Sequence, residues 1–192
     1  MKVIAINGSP RKEGNTYAII NMVLDELKKE NIETEIIQLG GNLVRGCTGC
    51  YQCFKNKNNR CVFDDDIINT CIEKMRLADG IILGCPVYYS NITTEMKALI
   101  DRAGVVSKAN GVFLKNKVGV SVAAMRRAGG VNAINSMNYL FLANEVVIPG
   151  STYWNMALGK EPGEVNNDDE GIKNMKNLGQ KMSWLLKKIN TQ

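Results

Sequence analysis

Apolar residues fall along this chain in two rhythms. Short continuous runs, "KVIAI" (2–6), "GIILGCPV" (80–87) and "KVGVSVAAM" (117–125), are apolar and rich in β-branched residues. Such runs predict strands buried on both faces. "ETEIIQL" (33–39) predicts another strand, and "EVVIPG" (145–150) the fifth in chain order. Between them the spacing turns helical. Ile20, Val23, Leu24 and Leu27 predict a helix from Thr16 to Lys29. Further helices are predicted from about Asp66 to Met75, over "TTEMKALIDRAG" with Thr93 as N-cap, and over 130–143. Ile172, Met175, Leu178, Met182, Leu185 and Ile189 mark a closing helix.

Strands alternating with helices imply a parallel sheet covered on both faces, an α/β architecture. Five strands in this rhythm suit a doubly wound, flavodoxin-like order 2-1-3-4-5. The chain has 192 residues, 45% hydrophobic and 22% charged, which suits a single domain over 1–192. A cysteine-rich segment, 45–66, is expected as an insertion after the second strand. No apolar run is long enough to span a membrane, and the opening residues lack the pattern of a signal peptide, so a cytoplasmic protein is expected. The net charge of +5 is dispersed and interrupted by acidic clusters at 64–66 and 168–170. That is a solvated surface and not a nucleic-acid footprint.

In such a sheet, ligands sit beyond the carboxyl ends of the strands, where the order reverses. The loops after strands one, three and four are therefore read as one site. "GSPRKEGNT" (8–16) offers Ser9, Arg11, Asn15 and Thr16 at a helix N-terminus, a setting for a single phosphate as on FMN. It is not a nucleotide-hydrolysing P-loop, because Asn15 stands where that motif requires lysine. A polar turn entering a helix is the plainer alternative. "PVYYSNIT" (86–93) brings Pro86, Val87, Tyr88, Tyr89 and Asn91, flat faces and an amide for a heterocycle. "MRRAGG" (125–130) joins Arg126 and Arg127 to Gly129 and Gly130, which permit close backbone approach.

Four of the six cysteines, Cys47, Cys50, Cys53 and Cys61, fall within fifteen residues as C-x2-C-x2-C-x7-C, and histidine is absent. Cys/His zinc sites and imidazole catalysis are thereby excluded. The triplet opening matches ferredoxin ligation of a [4Fe–4S] cluster, with Gly46 and Gly49 letting the backbone wrap and the fourth thiol returning after a hairpin. Free thiols or bound zinc remain the alternative. Cys71 and Cys85 read as small buried hydrophobes. No catalytic acid or base is evident.

These motifs, with "GSTYWNMALG" (150–159), together resemble the NADPH-dependent FMN reductase-like branch of the flavodoxin superfamily, and within it the iron–sulfur flavoproteins of anaerobic archaea and bacteria. The resemblance runs nearly end to end. It implies FMN on the three loops, a [4Fe–4S] cluster on the cysteine motif, and homodimers or homotetramers. It departs at Cys85, where serine or threonine is more usual. The expected activity is electron transfer from a ferredoxin-like donor to a small acceptor, such as a quinone, oxygen or a peroxide. The rivals are a cluster-free NAD(P)H-dependent flavin or quinone reductase and a non-enzymatic electron carrier. Ser151, Tyr153 and Trp154 are expected either to cap a neighbouring subunit's flavin or to pack over the sheet edge.

Overall fold

Residues 3–6 point alternately to the two faces of the central sheet: Ile4 and Ile6 enter one core, Val3 and Ala5 the other. A strand apolar at every position therefore needs cover on both sides. In the computed structural model, which describes residues 1–190, helices supply that cover. The elements run β1 (Lys2–Asn7), α1 (Asn15–Lys29), β2 (Glu33–Gln38), α2 (Gln52–Asn56), α3 (Ile68–Leu77), β3 (Gly80–Pro86), α4 (Thr94–Ala109), β4 (Val118–Met125), α5 (Gly130–Ala143), β5 (Met156–Leu158) and α6 (Asp169–Asn190). A 3-10 turn, Glu164–Asn167, precedes α6.

All strand pairs are parallel, in the order β2-β1-β3-β4-β5. Side chains of α3, α4 and α5 build one core with Ile4, Ile6 and Leu83, while α1 and α6 build the other with Val3, Ala5 and Ile82. Thr93 caps α4 as expected, its side chain accepting the Met96 N–H. The order reverses beside β1, so the ends of β1 and β3 open a crevice there. Among the described residues no helix is long and apolar enough to cross a membrane.

The fifth strand is not where the apolar run 145–150 put it. Val147 makes a lone bridge to the start of β4, with the Gly119 N–H on its carbonyl at 2.9 Å. Pro149 has no N–H for a ladder, and the chain leaves the sheet there. It rejoins farther along β4 as three residues, Met156–Leu158, paired with Ala123–Met125. The edge is thus built in two pieces. The helix expected from Asp66 starts at Ile68, because the Asp66 carboxylate receives the Ile68 N–H at 3.0 Å from outside it.

Candidate functional site

Asn7, fully buried at the end of β1, shapes the first loop. Its Oδ1 accepts the Ser9 N–H at 3.1 Å, its amide donates to the Lys12 carbonyl at 3.2 Å, and Ser9 Oγ then accepts the Arg11 N–H at 3.2 Å. Gly8 donates to the Gly84 carbonyl at 2.8 Å, and Thr93 Oγ1 donates to the Gly8 carbonyl at 3.0 Å, so the loop is fastened to β3 and α4. The loop delivers the chain to α1. There Gly14 at the N-cap offers no side-chain cap, and the first turn carries no acidic residue. The first N–H groups of a helix need partners, and their dipole favours an anion.

A hollow of about 180 Å³ opens at this end, lined by Ser9, Arg11, Asn15, Thr16, Pro86, Val87, Tyr88 and Arg126, with Ala124, Gly159 and Lys160. Its charged side chains are Arg11, Arg126 and Lys160, all basic. Arg11, Arg126, a Lys160 already paired with Glu161 at 3.0 Å, and an uncapped helix terminus fit a phosphate. Ser9 and Thr16, almost wholly buried, add hydroxyls.

Not every expected position meets there. Tyr88 and Asn91 exchange both backbone hydrogen bonds, at 2.8 and 2.9 Å, across a tight turn whose central residues, Tyr89 and Ser90, are left-handed at φ 48° and 59°. Tyr88 lines the hollow, whereas Tyr89 projects fully into solvent. The Asn91 side chain accepts from Ser136 Oγ at 2.8 Å, and Asn91 lines a different hollow, a groove of about 650 Å³ between α4 and α5 that holds none of the cysteines. Arg127 is exposed and outside the hollow. Gly129, at φ 88°, caps α5, and a Cβ on it would lie 2.7 Å from Ser90 Cα. Gly130 lies against Met125 and Met156 with no room for a Cβ. Gly129 thus brings the second and third loops into contact, while Gly130 packs the third loop against β5. Asn15 is itself engaged: it donates to the Glu161 carbonyl at 2.9 Å and accepts the Gly163 N–H at 2.8 Å.

The cysteine segment leaves β2 and returns at α3. Its turns need left-handed residues, Gly49 at φ 66° and Tyr51 at φ 53°, whereas Gly46 lies in open space with no such demand. Between Cys53 and Cys61 the chain makes the short α2 and turns through left-handed Lys57 and Asn59, so no hairpin forms. Cys47, Cys50, Cys53 and Cys61 nevertheless line one cavity of about 80 Å³, with Phe63, Arg102 and Val106 among its other walls. All six cysteines are free thiols. Among the described residues no three His, Cys, Asp or Glu side chains gather as ligands of a single metal ion. A cluster would ask for something different, one thiolate for each of four irons, and four cysteines lining one cavity fit that.

The Gln52 backbone N–H draws the Cys50 thiol below the usual cysteine range, aided by Thr48 and Lys55. Burial pushes Cys53 up, and the neighbouring Cys61 and Cys50 add to the rise. Outside the motif, burial raises Cys71 to about 12 and Cys85 to about 11, which keeps both protonated and inert.

A family model described as NADPH-dependent FMN reductase matches residues 1–161. The chain belongs to that family. Within the NADPH-dependent FMN reductase family it is similar to an iron–sulfur flavoprotein of Methanocaldococcus jannaschii, 38% identical over 98% of this chain and 99% of the relative. An iron–sulfur flavoprotein of Methanosarcina thermophila is 33% identical over 98% of this chain and 97% of its own. An archaeal flavodoxin structure superposes with a TM-score of 0.63 at 16% identity, covering 97% of this chain and 99% of that one, a likeness of fold. As an FMN reductase family member the chain is a flavin-dependent oxidoreductase.

Two parts of this family member's site escape a reading by motif. The first is the loop after β5, which brings Gly159 and Lys160 to the hollow and is tied back by Asn15 and by Arg11 Nη1 on the Lys160 carbonyl at 3.4 Å. The second is a buried polar clamp on the cysteine segment. Asn69 accepts the Cys61 N–H at 2.8 Å and donates to the Cys61 and Phe63 carbonyls, both at 3.0 Å. Arg102 on α4 donates to Asp66 at 2.5 Å, to the Arg45 carbonyl at 3.0 Å and to the Phe63 carbonyl at 2.7 Å. The 150–154 loop is pinned by buried Asn174, whose amide donates to the Trp154 carbonyl at 2.7 Å. Tyr153 and Trp154 stack edge to face at 4.4 Å and remain half exposed.

Proposed function

We propose that this oxidoreductase binds FMN and a [4Fe–4S] cluster and passes electrons from a ferredoxin-like one-electron donor to a small acceptor, a quinone, oxygen or a peroxide. The observation that carries the reading is the cavity walled by Cys47, Cys50, Cys53 and Cys61, on a chain whose strand ends offer a separate phosphate-binding hollow. FMN exchanges electrons singly or in pairs and a [4Fe–4S] cluster singly, so together they link a one-electron donor to a two-electron acceptor. Each of the four cysteines would give its thiolate to one iron, the Gln52 N–H already favouring the thiolate at Cys50. Ser9, Thr16 and the N–H groups opening α1 would hold the phosphate, with Arg11, Arg126 and Lys160 balancing its charge. Pro86, Val87 and Tyr88 would set the entrance along which the rest of the flavin lies.

The names of the relatives support a cluster, and the family description supports FMN. A homodimer or homotetramer in the cytoplasm completes the reading. Iron, acid-labile sulfide and flavin, measured after anaerobic purification, test it. The expected result is FMN with four irons per subunit, iron falling sharply in Cys50→Ala and staying in Cys71→Ala. FMN without iron or sulfide would leave a plain NAD(P)H-dependent flavin or quinone reductase. Reduction of free quinone separates the enzyme from a mere carrier.

A further inference from the structure

Among the described residues Arg102 is one of the largest fully buried side chains, with 1% of its surface exposed. A cation is placed so deeply only where its charge is answered. Its Nη1 pairs with Asp66 and takes the Arg45 carbonyl, and its Nη2 takes the Phe63 carbonyl. The guanidinium therefore grips the chain just before Cys47 and just after Cys61. Its Nε is buried without any hydrogen-bond partner. The same side chain forms part of the wall of the cavity lined by the four cysteines.

A staple for the loop would be complete with the carbonyls alone, and needs neither a buried charge nor an orphaned buried donor. We infer that Arg102 tunes the redox potential of the cluster that these thiolates would hold, its fixed positive charge favouring the reduced state. The inference rests on the cluster reading above. Reduction would add one electron, delivered by the one-electron donor, to a centre that four thiolates would already make anionic. No bond forms or breaks at Arg102 and no proton moves. Only the attraction grows, and in a buried setting it is weakly screened. Asp66 opposes it, so the two residues act on the potential with opposite sign.

The test is a potentiometric titration of the anaerobically prepared, cluster-loaded protein, followed by the spectrum of the reduced cluster. Arg102→Gln is expected to move the cluster's midpoint potential to lower values and Asp66→Asn to higher ones, while Arg102→Lys, keeping the charge, stays nearer the parent. Iron and sulfide assays fix the loaded fraction, and proteolysis of the metal-free variants within 45–66 reports the loop separately. Where Arg102→Gln retains no cluster, the upward shift in Asp66→Asn decides. A loaded variant of either residue with the parent's potential would overturn the inference and leave Arg102 a staple. Parent protein free of iron and sulfide would instead remove the cluster reading itself.

Discussion

Replacing Asn69 by alanine isolates the clamp on the fourth cysteine. The Asn69 side chain is 2% exposed, and no other described side chain holds both the N–H and the carbonyl of Cys61. Its Oδ1 makes one bond, and its two amide hydrogens are shared among the Cys61 and Phe63 carbonyls and Asp64. Three bonds' worth of pairing is therefore lost. Cys61 is partly open to water, which can re-pair the freed groups, so each bond is counted near the low end, about 1 kcal/mol. The sum, about 3 kcal/mol, is a little over a hundredfold in the local opening equilibrium. Amide hydrogen exchange at Cys61 and its neighbours in the metal-free protein should quicken by that order, with the amides of β1 and β3 unchanged. In loaded protein, a chelator should strip iron faster. Equal exchange at Cys61 in parent and variant would refute the clamp, whatever the iron content.

The double change Ser9→Ala, Thr16→Ala should weaken FMN binding, by roughly 1.5–3 kcal/mol for each hydrogen bond to the charged phosphate, or at least tenfold per bond, read by flavin fluorescence on titrating the flavin-free protein. Asp66 gives a pH signature. Burial alone would raise its carboxyl, but the Arg102 pairing and the Arg45 and Ile68 N–H groups outweigh that and hold it below the ordinary aspartate range. A depressed folded pKa contributes stability that is complete above the unfolded value of about 4 and is lost as pH falls through the folded one. Pepsin should therefore cut the 45–66 segment increasingly below about pH 4, with the dependence flattened in Asp66→Asn; matching profiles would count against the pairing.

Periodicity made the sheet order and most elements legible, because β1, β3 and β4 are apolar on both faces and bounded by polar turns. It failed at β5 for a physical reason. Val146 is apolar because it packs against the core beside β4, while the hydrogen bonds of the edge pass to a three-residue strand too short to show a pattern. That displacement also hid Gly159 and Lys160 from the site. The spacing of the cysteines announced the motif, and the structure puts all four on one cavity. The clamp around them was silent, since Asn69 and Arg102 lie on helices whose sequence reads as ordinary amphipathic surface, and only burial reveals them. In the second loop, the pairing of Tyr88 with Asn91 sends the neighbouring Tyr89 outward, which composition alone does not foretell.

The contact of Gly129 with Ser90 bears on how this site can diversify. With a Cβ at 129 meeting Ser90 Cα at 2.7 Å and Val87 Cγ1 at 2.9 Å, the 87–90 stretch and the start of α5 rest on each other with no slack to absorb change. A residue inserted in the turn would push on α5, and a larger residue at 129 would push on the turn. Descendants that acquire new acceptors by remodelling one of these loops must remodel the other in the same step. A graft of the 86–93 loop from a distant relative should thus succeed only when 125–130 travels with it, making the pair the smallest exchangeable module on this rim of the sheet.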